Sequence, residues 1–192
     1  MDKKKLEQEI NNTLKVLNKN GIILYPTDTI WGIGCDATNY KAVEKINKIK
    51  KRTKDKNFIV LIDDIKKLRN YVENIPEILY DLIESIDTPL TIIYPYAKNL
   101  TKNVIAKDNS IGIRITKDVF CKKLIQLFGK PIVSTSANIS GEENPIYFNK
   151  ISKDIINSVD YVVDLFHDRI KEIKPSTIIK LKVNGEFSVI RR

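Results

Sequence analysis

Four groups of residues in this 192-residue chain have the types and spacing for chemistry on an anionic substrate. The first is Tyr25-Pro-Thr-Asp-Thr-Ile-Trp-Gly-Ile-Gly-Cys-Asp36. Pro26 offers no N–H and stops a strand. The chain then exposes Thr27, Asp28 and Thr29 and is expected to turn on Gly32 and Gly34, where the missing side chains let the backbone approach a ligand. The second group is Lys48, Lys50, Lys51 and Arg52, with Lys54 and Lys56 close behind. Lysine brings a point charge and arginine a bidentate fork, a pairing that suits a polyphosphate. Positive side chains also suit a helix C-terminus, and charge alone leaves both readings open. The third group is Ser134, Thr135, Ser136, Asn138, Ser140 and Gly141. It reads either as a capped turn whose side chains bond their own backbone or as a bed of donors and acceptors for phosphates and a sugar. The fourth is Arg114, a charge inside the apolar run Ile111-Gly-Ile-Arg-Ile115. Alternation puts the three isoleucines on one face and Gly112 and Arg114 on the other, so Arg114 needs solvent or a partner.

The elements that position these groups follow from hydrophobic periodicity. Leu6, Ile10, Leu14 and Leu17 mark an amphipathic helix. Gly21–Tyr25 reads as a buried strand. A helix over about Asn39–Lys51 follows, capped by Asn39, with Val43, Ile46 and Ile49 as its apolar stripe. Phe58–Ile62 is a second strand, Ile65, Leu68 and Val72 continue as a helix, and Pro76 opens another. Leu90–Tyr94 and Ile111–Ile115 are strands flanking a loop at 96–109, and the next helix carries Phe120, Leu124, Leu127 and Phe128. Ile132-Val133 leads into the Ser/Thr/Asn segment, and Tyr161–Asp164 is a short strand. The chain closes with a hairpin around Asn184-Gly185, the favoured type I′ pair. Strands alternating with helices, ending in a hairpin, predict a single α/β domain with a mixed sheet.

Composition excludes several classes. No apolar run approaches a membrane span, and the start of the chain lacks the apolar core of a signal peptide. Cys35 and Cys121 form no disulfide framework and no metal-ligand spacing. The expectation is a cytoplasmic protein with free thiols, Cys35 being a small buried side chain. The lone histidine, His167, has no catalytic or metal-binding partner nearby in sequence and reads as a surface or structural residue. The net charge of +9 suits anionic partners, yet a lysine-rich composition would give the same figure. No Walker A or dinucleotide fingerprint is present, so a nucleotide site must be built from strand-end side chains and Lys/Arg.

The first segment, with Lys50-x-Arg52, Ser110-Ile-Gly-Ile-Arg114, Ser134-Thr-Ser-Ala-Asn-Ile-Ser-Gly141 and Pro175-Ser-Thr-Ile-Ile179, resembles the YrdC-like threonylcarbamoyl-AMP synthase family in its single-domain form. The resemblance covers about Gly21 to Arg191. It implies a twisted open mixed sheet flanked by helices, with a concave basic cavity. It implies synthesis of L-threonylcarbamoyl-AMP from L-threonine, bicarbonate and ATP with release of pyrophosphate, Mg²⁺ arriving with the ATP. Carried over by position, Thr29, Arg114, Ser134 and Ser176 would surround threonine. Lys50, Arg52, Lys56, Ser110, Ser136, Asn138, Asn144 and Arg191 would surround ATP, with Lys50 and Arg52 as the catalytic pair and no metal bound by the protein itself. The product would pass to the tRNA threonylcarbamoyl transferase machinery, and an RNA contact is left open. The chain departs from the pattern in four places. Lys-Lys-Arg-Thr replaces the usual Lys-Gly-Arg-Pro, Lys56-Asn57-Phe58 replaces Asn-Pro-Leu, Leu61 stands where a histidine is common, and Arg191-Arg192 replaces Arg-Pro-Gly. Two other readings are an RNA-binding module without ATP turnover, which predicts salt-sensitive binding, and a carbamoyl-adenylate module of the hydrogenase-maturation type, which expects a longer chain and more cysteines.

Overall fold

The computed structural model describes residues 2–52, 58–168, 175–182 and 184–191. Nine strands form one sheet: β1 (Ile23–Tyr25), β2 (Gly32–Gly34), β3 (Ile59–Ile62), β4 (Leu90–Tyr94), β5 (Ile111–Ile115), β6 (Ile132–Ser136), β7 (Tyr161–Val162), β8 (Thr177–Leu181) and β9 (Phe187–Arg191). Their order across the sheet is β7-β1-β2-β6-β3-β5-β4-β8-β9. The pairs β1/β7, β3/β5 and β4/β8 are parallel and the rest antiparallel, so the sheet is mixed as expected. Five helices pack around it: α1 (Lys3–Asn18), α2 (Tyr40–Ile49), α3 (Ile78–Ser85), α4 (Val119–Phe128) and α5 (Lys153–Ser158). Side-chain caps start four of them. Asp2, Asn39, Asp118 and Ser152 each accept a first-turn N–H. Left-handed Gly129 ends α4.

Three local expectations change. Gly32 and Gly34 do not turn the chain; they lie in β2, antiparallel to β1. Glycine serves space there, since a Cβ on Gly34 would stand 2.6 Å from the Val133 carbonyl and 2.7 Å from the Tyr25 ring. Residues 65–70 form a 3₁₀ helix, capped by Asp64 and ended by a three-residue-spaced bond from Tyr71 N–H to the Leu68 carbonyl. In the final hairpin Gly185 is left-handed, and its N–H bonds the Lys182 carbonyl. Gly185 therefore closes the turn as its last residue, and Asn184-Gly185 is not the central pair that a type I′ Asn-Gly turn requires.

The two faces of the sheet differ, and the difference makes the site. On one face Leu24, Ile33, Val60, Ile92, Ile113 and Val133 join α2, α3 and α5 in the larger core. On the other, Ile23, Tyr25, Leu61 and Ile132 are covered by α1 and α4 through Leu6, Ile10, Phe120 and Leu124. The strand period carries this second face on to Ser134, Gly112, Arg114 and Thr91. The side chains therefore change from apolar under the two helices to small or polar beyond them.

Candidate active site

A cavity of about 590 Å³ opens on that polar part of the sheet. Its first wall comes from the loop between β1 and β2. Thr27 Oγ1 donates to the Ile30 carbonyl at 2.8 Å and accepts from Thr29 N–H at 3.0 Å. This local knot, a Thr side chain bonding its own backbone, fixes Thr29 on the cavity. Thr29 Oγ1 in turn accepts from Arg114 Nη1 at 3.0 Å.

Arg114 faces this cavity from β5 and is only 3% exposed. A buried cation needs a partner, and Asp28 Oδ1 lies 3.2 Å from its Nη2. The separation is that of an ion pair, but the angles do not make a hydrogen bond. Asp28 Oδ1 and Arg114 Nε are both buried without a hydrogen-bond partner. A donor left unpaired inside a protein is costly, so Arg114 is held here at a cost by Thr29 and Asp28. Leu61, the register partner of Arg114, is fully buried in the core under α4 and does not line the cavity. The departure that the resemblance implies at Leu61 is thus part of the packing.

Ser176 and Arg191 form the opposite wall, at the sheet's other end. Ser176 Oγ shares a 2.8 Å hydrogen bond with Thr91 Oγ1, and Arg191 donates to the Ser176 carbonyl from Nε (3.1 Å) and Nη2 (2.9 Å). Thr91 is a residue that sequence reasoning missed. Its signal was a hydroxyl in the otherwise apolar strand Leu90–Tyr94, on the same face as Gly112.

Between the walls, Ser134, Thr135 and Ser136 of β6 and Asn144 complete the lining. Ser136 Oγ donates to Asn138 Oδ1 at 2.5 Å, and Asn138 Nδ2 donates to the Glu142 carbonyl at 2.7 Å. Lys50 lies behind this turn and is 3% exposed. Its Nζ donates to the carbonyls of Ser136 and Asn138, the latter at 2.6 Å, and to Asn138 Oδ1 at 3.3 Å. In this state the ammonium is a strut under Ser136 and Asn138 and does not line the cavity. Arg52 stands at the rim. Its Nη1 donates to Thr135 Oγ1 at 3.1 Å, and its guanidinium lies 4.0 Å over the Phe58 ring. Burial lowers Arg52 to about 10, which leaves it charged at neutral pH.

Seven of the twelve expected site residues therefore line one cavity: Thr29, Arg114, Ser134, Ser136, Asn144, Ser176 and Arg191. Lys50, Arg52 and Asn138 adjoin it through the contacts above. Ser110 does not reach it; its hydroxyl donates to Asp108 Oδ1 at 2.5 Å and secures the loop before β5. Lys56 lies outside the described residues.

The remaining candidates are structural. Both cysteine thiols are buried, and desolvation raises both above the usual thiol range. His167 donates from Nε2 to the Val163 carbonyl at 2.8 Å, with the ring assigned that tautomer, and stacks on Phe148 at 3.7 Å. Phe148 and His167 both abut Trp31, a cavity residue, at 4.9 and 5.4 Å. Among the described residues no group of three or more His, Cys, Asp or Glu side chains is placed to hold a metal, and no helix is long and apolar enough to cross a membrane. The cavity thus offers two guanidinium groups and a ring of hydroxyls. Such a set binds and orients anionic, hydroxylated molecules.

The chain is similar to known proteins in sequence and in fold. The family model Sua5_yciO_yrdC, described as "Telomere recombination", matches residues 15–192. The chain is 34% identical over 161 residues to the threonylcarbamoyl-AMP synthase of Pseudoalteromonas translucida, covering 82% of this chain and 86% of that one. Among solved structures it resembles a doubly substituted P. abyssi Sua5, with a TM-score of 0.87 and 26% identity over 96% of this chain. It spans only 56% of that longer protein. It also resembles E. coli YciO, with a TM-score of 0.83 and 26% identity over 97% of this chain and 89% of that one. From the half-covered sheet to the order of the motifs along it, the chain belongs to the Sua5/YciO/YrdC family.

Proposed function

We propose that this protein is an L-threonylcarbamoyl-AMP synthase, joining L-threonine, bicarbonate and ATP and releasing pyrophosphate. One observation carries the reading. The hydroxyls of Thr29, Ser134 and Ser176 converge with Arg114 and Arg191 in one cavity, in a chain 34% identical over 161 residues to a protein of that name. The chemistry fits the donors. Arg114, which lines the cavity, would take the threonine carboxylate. The hydroxyls of Thr29, Ser134 and Ser176 would meet the substrate's own hydroxyl. Ser136, Asn144 and Arg191 would hold the nucleotide, with Arg52 at the phosphate end and Lys50 keeping the Ser136–Asn138 turn in place.

Adenylyl transfer needs the phosphate charge offset and the reactants in line. Threonine carbamate, formed from the amine and bicarbonate with loss of water, would bond through a carbamate oxygen to the α-phosphorus as the bond from phosphorus to the bridging oxygen breaks and its electron pair leaves on pyrophosphate. Both reacting groups are anionic, so positive side chains and positioning do most of the catalysis. Mg²⁺ would enter as MgATP, carried by the phosphates. The adenylate product would pass to the enzymes that complete threonylcarbamoyladenosine on tRNA.

Pyrophosphate release from ATP, measured with and without L-threonine and bicarbonate, tests this. Release that depends on both substrates is expected. Salt-sensitive RNA binding with no pyrophosphate release would overturn it in favour of an RNA-binding module.

A further inference from the structure

A serine or threonine hydroxyl has one proton to give and two lone pairs to receive with. Counting them fixes the direction of two hydrogen bonds at the cavity. Thr27 spends its one proton on the Ile30 carbonyl. The 2.9 Å bond between Thr27 Oγ1 and Thr29 Oγ1 therefore runs from Thr29 to Thr27. Thr29 Oγ1 also accepts from Arg114 Nη1. It keeps one lone pair and no proton, so toward a ligand it can only accept.

Ser176 is the opposite case. Its Oγ stands 2.8 Å from Thr91 Oγ1 and 3.5 Å from Arg191 Nη2. Thr91 is fully buried in β4 and does not line the cavity. Among the described residues its hydroxyl has one hydrogen-bond partner, Ser176 Oγ. A buried proton left without an acceptor is costly, so Thr91 donates and Ser176 accepts. A guanidinium can only donate, and Arg191 takes up the second lone pair through its longer contact. The proton of Ser176 is what remains for a ligand. The Thr91 side chain is also held from turning. Its Cγ2 would lie 3.6 Å from a Cβ built on Gly112, so the methyl packs over that glycine, and a β-branched side chain has few other rotamers. Gly112 leaves the space that aims the Thr91 hydroxyl at Ser176.

We infer that Thr91 is a positioning residue for substrate choice: by donating to Ser176 it makes that serine a hydrogen-bond donor to an oxygen of the amino-acid substrate. The inference rests on the synthase reading and deepens it. Thr29 and Ser176 then ask for different things. Thr29 takes an O–H or N–H from the ligand, and Ser176 gives its proton to an oxygen lone pair. The side-chain hydroxyl of L-threonine carries both a proton and lone pairs, so it can answer either demand, whereas an isopropyl group answers neither. Thr91 never touches the substrate; it acts through Ser176 alone.

The test uses the full chain with Thr91→Val, which keeps the shape and removes the hydroxyl, Thr91→Ser, which keeps the hydroxyl, Ser176→Ala, and the double variant Thr91→Val/Ser176→Ala. Thr91→Ala takes the place of the valine variant if that one does not fold. L-Threonine is titrated into each by calorimetry, and pyrophosphate release gives kcat and KM. Thr91→Val should raise the L-threonine Kd about fivefold, the worth of one neutral hydrogen bond. KM should rise in step, with a smaller change in kcat. Thr91→Ser should return to within about twofold of the parent, and Thr91→Val should add less than about twofold on the Ser176→Ala background. The sign of the Kd change reads the direction of the bond. Were Ser176 the donor to Thr91, the valine variant would free its proton for the substrate, so an unchanged or lowered Kd overturns the proposal. An equal loss with and without Ser176, or no recovery in Thr91→Ser, also overturns it, since Thr91 would then act by packing. A parent that binds L-threonine but releases no pyrophosphate refutes the synthase reading alone, and the binding arm still decides on Thr91. A parent that does not bind L-threonine overturns both.

Discussion

Replacing Lys50 by methionine separates two roles that a phosphate-clamp motif confounds. The side chain loses its ammonium and is otherwise matched atom for atom along the stem. In the structure that ammonium is 3% exposed and donates to the Ser136 and Asn138 carbonyls and to Asn138 Oδ1. Hydrogen bonds from a charged donor contribute about 1.5–3 kcal/mol each. The long contact to Oδ1 is discounted, because Ser136 Oγ also donates to that oxygen. Two carbonyls at the lower figure give about 3 kcal/mol, since burial of the charge offsets part of the gain. For a chain of this size about 1 kcal/mol moves Tm by roughly 2–4 °C, so Lys50→Met should melt roughly 6–12 °C below the parent. Thermal unfolding by circular dichroism reads this directly. Turnover should fall at least tenfold as well, because Ser136 and Asn138 lose their support. A variant that melts within 2 °C of the parent, yet is equally inactive, would refute the strut and return Lys50 to direct phosphate contact.

Four further outcomes are expected. L-Serine should be a weak substrate and L-valine nearly inert, because a site built around hydroxyls rejects a ligand lacking one; comparable pyrophosphate release with valine would contradict the assignment of Thr29, Ser134 and Ser176. Of the two long loops near the site, 141–147 carries Asn144 into the cavity, whereas 96–109 is fastened by bonds from Ala97, Lys98 and Thr101 N–H to Asn109, Tyr71 and Ala37 carbonyls. Hydrogen exchange with ATP and threonine bound should slow in 141–147 and stay unchanged in 96–109. Lys51 holds a left-handed φ of 47°, a conformation that glycine adopts without strain. Lys51→Gly should gain about 0.5 kcal/mol, strain relief of about 1–2 kcal/mol being partly offset by the greater freedom of the unfolded chain; a lowered denaturation midpoint would contradict this. The Asp108 carboxyl is lowered to about 2, first by the Ser110 hydroxyl and then by Lys180. A lowered folded value adds stability that is present above the unfolded value, near 3.9, and lost as pH falls through about 2. Ser110→Ala should therefore reduce the loss of Tm between pH 5 and 2.

What the sequence revealed depended on whether a signal was local. Leu90–Tyr94 and Ile111–Ile115 match their strands residue for residue, because each is a short β-rich run bounded by turn residues. Alternation alone set Arg114 apart from its isoleucines, and the structure places it in the cavity. Gly32-Ile-Gly34 misled because glycine marks both turns and close approaches, and only the neighbouring Tyr25 ring and Val133 carbonyl show which applies. The cage around Lys50 joins residues more than 80 positions apart, so no periodicity could reveal it. The same holds for Thr91 beside Ser176. Leu61 read as a lost site residue, and its burial under α4 became visible only once the helix was in place.

The lone tryptophan gives the protein a built-in optical probe. Trp31 is the only indole in the chain, lines the cavity, and stands 5.4 Å from the only histidine. Its emission therefore reports on one place, without labels and without a background from other tryptophans. A bound nucleotide or amino acid changes the polarity around the ring. Ligand titrations followed by fluorescence would therefore read occupancy of the cavity directly, in a single cuvette.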